Sequence, residues 1–261
     1  MVPPIASTAS IGAMLYLARI LLIILTTPFI INGCILERIF RVKDQLCDFE
    51  NNFYIEIGEG FRVILREPVM LAEDITWLAG AEPSEQKLID NELILIYIAQ
   101  KQGRHFNGQY DIPVELRFVR IDEDYRLKEG YLSKNLTDVL TYELLTQLMQ
   151  SVCRSEKSLV EQRVTIDIGA INRSMLPSPS ELNDILGPPN RDTGNRLNLA
   201  YDYQLKNNDS MDQIAAIDIL FDEMGERILR IKLKYLRYNL EVDFEKGEAI
   251  LKVDVFIDKK A

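Results

Sequence analysis

The chain has 261 residues, 47% of them apolar and 27% charged, which is ordinary for a globular chain able to bury a sizeable core. Asp and Glu outnumber Lys and Arg by 40 to 30, and the resulting net charge of -10 repels phosphate backbones, so nucleic acid is excluded as an expected partner. With one histidine, His105, there is no His cluster to bind zinc, and the Gly103–Gly108 stretch around it reads as a solvated loop.

Residues 20 to 31 form a run of 12 uncharged, mostly apolar residues behind Arg19. A membrane-spanning helix needs about 20 such residues, whereas a secretory signal core needs ~7–15. Asn32-Gly33-Cys34 follows at once. Met1-Val2-Pro3-Pro4 and the small residues behind it are unlike a signal start, and Met14 is the expected true start. As an alternative, residues 11 to 33 would span as an uncleaved anchor if Arg19 snorkelled, although Pro28 and Asn32 weigh against it.

Ile31-Asn32-Gly33-Cys34 resembles the lipobox of bacterial lipoproteins. The resemblance implies that residues 1–33 are a signal peptide, that Cys34 is lipidated, and that the mature chain is held by acyl chains on a membrane. Ile35, where an Asp would favour the inner membrane in that family, implies the outer membrane facing the periplasm. Of the other two cysteines, Cys47 and Cys153, an oxidising periplasm would allow a disulfide, and two free buried thiols are the alternative.

Residues 34–50 mix charges with Ile35, Leu36, Ile39, Phe40, Val42 and Leu46 at helical spacing, and read as a tether or a short amphipathic helix near the membrane. Phe53 to Ile57 and Phe61 to Leu65 alternate around Gly58-Glu59-Gly60 and predict a β-hairpin. Leu71 to Leu78 predicts a short helix stopped by Gly80 and Pro83, with Trp77 expected in the core. Leu93 to Ala99 reads as a buried strand. Val114 to Phe118 reads as the next, and Asp122-Glu123-Asp124 as an acidic hairpin turn. Residues 135 to 152 carry an apolar stripe at steps of three and four, an amphipathic helix.

The remainder echoes this order. Ile166-Asp167-Ile168-Gly169 matches Ile55-Glu56-Ile57-Gly58, a helix around Glu181 to Ile185 stops at Leu186-Gly187-Pro188-Pro189, and three alternating strands end at Tyr235. A last hairpin, through Ile257, is an addition. The expected fold is therefore α+β: two related units, 51–155 and 156–261, each with short helices packed on a small antiparallel sheet. The order of features at 181 to 235 also resembles the SmpA/OmlA (BamE-like) outer-membrane lipoproteins, which implies helices on a three-stranded sheet and a non-catalytic accessory role.

No phosphate loop, Gly-x-Ser-x-Gly or Cys-x-x-Cys is present, and the acidic turn lacks EF-hand spacing, so no catalytic residue, metal or cofactor is expected. Asn135-Leu136-Thr137 and Asn172-Arg173-Ser174 match a glycosylation sequon that carries little meaning in a bacterial chain. The expected function is a lipid-anchored scaffold or accessory subunit that binds another envelope protein. The alternatives are an envelope hydrolase with paired carboxylates and a carrier of a lipid or small ligand.

Overall fold

The computed structural model describes residues 35–103, 106, 108–137, 141–158, 163–206 and 214–253; Cys34, the whole 1–33 stretch and His105 lie outside the described residues. From residue 35 the chain is helical to 47 (α1), followed by the short α2, Phe49–Asn52. The expected hairpin is β1, Phe53–Ile57, against β2, Gly60–Leu65. Next come α3, Ala72–Ala79, and the strands β3, Glu85–Ile89, β4, Glu92–Lys101, β5, Ile112–Ile121, and β6, Asp124–Ser133. The helix expected over 135–152 is divided among the described residues into α4, Lys134–Thr137, and α5, Tyr142–Cys153. Then follow β7, Glu156–Ser158, β8, Arg163–Asp167, α6, Pro179–Leu186, and five strands: β9, Asn198–Leu205, β10, Ile214–Phe221, β11, Ile228–Tyr235, β12, Tyr238–Asp243, and β13, Glu248–Val253. Residues 254–257 of the expected last strand lie outside the described residues.

Local chemistry sets the helix ends. Ser178 caps α6 reciprocally with Glu181, whose carboxylate accepts the Ser178 N–H at 2.7 Å, and Pro179 fills the first turn where no donor is needed. Thr141 caps α5 by accepting the Leu144 N–H at 3.2 Å.

The thirteen strands of the described residues form one antiparallel sheet in the order β1-β2-β6-β5-β4-β9-β10-β11-β12-β13-β8-β7, with β3 attached to β4. This overturns the expected α+β arrangement of helices on two small separate sheets. The reason is strand-edge chemistry, since a terminal strand leaves a row of backbone donors and acceptors open. Here β4 and β9 close on each other through Ala99↔Leu205, Gln100↔Gln204 and Lys101↔Tyr203. On the same edge of β4, β3 covers Glu92 to Ile96. Ser84 fills the gap between β3 and β9: its hydroxyl accepts from Ile98 N–H and donates to Lys206 C=O, both at 3.1 Å. Strands β9, β10 and β11 are thus interior strands of a long sheet.

The helices α3 and α6 share one sheet face. Ala72, Ile75 and Ala79 of α3 pack on Leu93, Leu95, Tyr97 and Phe118. Leu182 and Leu186 of α6 pack, with Leu144 of α5, on Tyr201, Tyr203, Ile219 and Phe221. Tyr97 and Lys101 alternate along β4 toward the same side, and Lys101 lies opposite Tyr203, so the two separate clusters lie on the same sheet face on either side of the seam. A third cluster, Phe49, Phe53 and Leu65, sits under the end of α1, where Cys47 and Cys153 are joined by a disulfide with Cα atoms 4.8 Å apart.

Candidate functional site: an acid-rimmed groove beside helix α3

Helix α3 is short, and its N-terminus is held by a buried carboxylate. Asp74, 1% exposed, accepts the Leu71 N–H at 2.8 Å and receives a two-pronged ion pair from Arg38 of α1 at 2.5 and 2.6 Å. A planar guanidinium matches a carboxylate in this way, and the carboxylate also complements the helix N-terminus. The C-terminus turns off at Gly80, whose φ of 63° is left-handed. A side chain there would also meet Leu236 at 2.5 Å. Tyr235 fixes the same end by donating its hydroxyl to Ala79 C=O at 3.0 Å.

With Ala72, Ile75 and Ala79 committed to the core, the helical period turns Glu73, Thr76 and Trp77 outward. They form one wall of a groove of about 930 Å³. Its floor is Leu93 and Leu95 of β4, its far wall is Gln86 of β3, and the turn between β5 and β6 closes one end. Trp77 is 44% exposed, with the Arg237 guanidinium 4.3 Å from its ring centre. Among the described residues the lining carries four carboxylates, Glu73, Glu82, Glu123 and Asp124, and no lysine or arginine. All four are exposed. Beyond the groove, β3 pairs with β4 alone among the described residues, and all five of its residues are exposed, including Leu88 and Ile89.

The arrangement combines an apolar floor, an aromatic platform, an anionic rim and a strand that pairs on one edge alone among the described residues. It suits an extended polypeptide carrying basic and apolar residues. It suits acid–base chemistry poorly, because a carboxylate becomes a general acid near neutral pH by burial, and none of the four is buried.

Lys101 is the other group with an unusual environment. Burial pushes its ammonium down to about 8, in the range that makes a lysine a nucleophile. Yet the side chain is 5% exposed and donates to the carbonyls of Leu186 and Pro188. The rings of Phe106, Tyr110 and Tyr201 lie 4.5, 5.0 and 5.0 Å from it. Lys101 therefore ties the C-terminus of α6 to the seam. The Leu186-Gly187-Pro188-Pro189-Asn190 stretch that carries the sequence resemblance is the receiving loop. Asn190 donates to Gln102 and Asp202 carbonyls at 2.6 and 2.9 Å and accepts the Asp202 N–H at 2.8 Å.

Of the residues singled out in the sequence, Cys47 and Cys153 come together as the disulfide, 106 residues apart, and Cys34 and His105 lie outside the described residues. Trp77, expected in the core, stands in the groove; the spacing of Ala72, Ile75 and Ala79 was the signal that placed it on the opposite side of α3. Glu123 and Asp124 form the expected exposed turn and serve as the groove's end. Gln86 and the rest of β3 carried no signal, because Glu-Gln-Lys-Leu-Ile neither alternates nor shows a helical period. No family model, curated protein or solved structure matches the chain.

Proposed function

We propose that the chain is a membrane-tethered, non-catalytic binding subunit of a bacterial envelope, anchored by lipid on Cys34, whose α3 groove receives an extended, basic and apolar segment of a partner protein. The anchor rests on the Ile31-Asn32-Gly33-Cys34 sequence and on Ile35, which favours the outer membrane. The binding role rests on one observation: an exposed Trp77, stacked on one side by Arg237, in a groove whose described lining carries four carboxylates and no lysine or arginine, beside the edge of β3. Main-chain pairing on β3 would supply affinity, and the acid rim would select for lysine and arginine.

Trp77 is the chain's single tryptophan, so its emission reports directly on the groove. Titration with a synthetic heptapeptide alternating Leu and Lys should shift that emission saturably, and salt should weaken the effect. The same peptide with Glu for Lys should leave it unchanged. Emission indifferent to both peptides at millimolar concentration, or equal response to both, would dismiss the groove as the binding site. The anchor is tested separately, by labelling growing cells with an alkyne-tagged fatty acid. The label should appear on the chain and vanish in Cys34→Ser.

A further inference from the structure

Among the described residues helix α1 runs from residue 35, the position after Cys34 in the sequence, and several contacts fix it to the body. Arg38 pairs with buried Asp74 at 2.5 Å, Lys43 donates to Ser155 C=O at 2.9 Å, and Cys47 is bonded to Cys153. Such a helix is part of the body rather than a swinging leash. Its inner face is Arg38, Ile39, Val42, Gln45 and Leu46, all partly buried. The exposed arc divides in two. Leu36, 50% exposed, and Phe40, 40% exposed, stand one turn apart. Glu37, Arg41 and Asp44 occupy the other side, rotated by about 100° in the helical period.

Lipid on Cys34 would leave almost no slack. One residue of chain reaches at most about 3.6 Å, so Leu36 would sit within a few ångströms of the point where the acyl chains enter the bilayer. We infer that α1 lies along the surface of that bilayer, with Leu36 and Phe40 dipped into the headgroup boundary and the body held at a fixed tilt against the membrane. The occupant of this apolar stripe is lipid. The inference rests on the lipid-anchor reading, which supplies the attachment point. Two side chains bury too little apolar surface to bind a membrane alone; they orient a body that the acyl chains already hold there. Because Arg38 of α1 pairs with Asp74 at the start of α3, the Glu73 end of the groove would then be its end nearest α1 and the membrane.

The full chain, produced with its own N-terminal segment and purified in detergent, is reconstituted into phosphatidylcholine–phosphatidylglycerol vesicles. A Trp77→Phe background removes the native indole, and Phe40→Trp places one on α1. Leu88→Trp on β3 is the control. Phosphatidylcholine brominated high on its acyl chains should quench the α1 indole at least twofold and the β3 indole hardly at all. Adding Leu36→Glu should abolish that quenching while leaving the lipid on the chain. If intact-mass measurement finds the lipid and the α1 indole emits as freely as the β3 control, the orientation is overturned and the anchor stands. A chain that carries no lipid overturns the anchor reading and this inference together.

Discussion

Lys101 shows how a single buried charge can be structural. Its ammonium satisfies the Leu186 and Pro188 carbonyls at the end of α6, where the helix dipole favours a cation. Lys101→Met keeps the length and apolar bulk but removes the donor to Pro188 C=O and leaves Leu186 C=O with the Tyr203 hydroxyl at 3.4 Å, and should destabilise the fold by about 2 kcal/mol, read by urea denaturation. The effect depends on pH. The folded ammonium is lowered to about 8 from 10.5, so between those values the unfolded chain binds more protons and wild-type stability gains relative to the variant. The tyrosines act in the opposite direction. Burial pushes Tyr201 and Tyr235 up to about 12 from 10.0, and Tyr203 higher still. Unfolded phenols ionise first, so the stability these three contribute is complete below pH 10 and is lost as the pH climbs through about 12. In an alkaline titration their phenolate absorbance should appear together with unfolding.

Among the elements, α1 gains most from covalent support. The Cys47–Cys153 bond closes a separation of 106 residues, for which loop-closure entropy alone gives about 4.7 kcal/mol. The double variant Cys47→Ser, Cys153→Ser should lose about 2–5 kcal/mol in denaturant, with amide exchange accelerated first in α1 and the adjoining end of α5. Loss spread evenly over the sheet would show that the bond acts on the whole fold instead. The elements also differ in how legible they were. The hairpin at 53–65 and strands β9 to β11 announce themselves because one face is apolar and the other wet, so each strand alternates. The caps of α6 are local, and Ser178-Pro179 with Glu181 states them in a few residues. Strand β3 was illegible because it is exposed on both faces and exists through backbone pairing to β4. The groove was illegible for the same reason, since it needs β3, and because Asp74 finds Arg38 36 residues away.

At the scale of the molecule, two runs of strands become one sheet at a narrow seam. Between β4 and β9 only three residue pairs meet, whereas β4 and β5 pair from Glu92↔Val119 to Ala99↔Ile112. Nothing local in the sequence forecasts that meeting, because Lys101 and Tyr203 are distant and neither run is short of apolar residues of its own. Side chains reinforce the short ladder: Ser84 bridges Ile98 and Lys206, Asn190 bridges Gln102 and Asp202, and Lys101 reaches across to α6. Each run has its own apolar cluster, Leu93 and Phe118 on one side and Tyr201 and Ile219 on the other. Cooperativity between the runs should therefore hang on the seam's polar links more than on shared core. Ser84→Ala with Asn190→Ala removes five side-chain hydrogen bonds, each contributing about 1 kcal/mol, without touching either cluster. In calorimetry the wild type should melt as one unit, with equal calorimetric and van't Hoff enthalpies, and the double variant should resolve into two transitions. A single transition merely shifted to lower temperature would mean that neither run is stable without the other, and that the seam belongs to one indivisible fold.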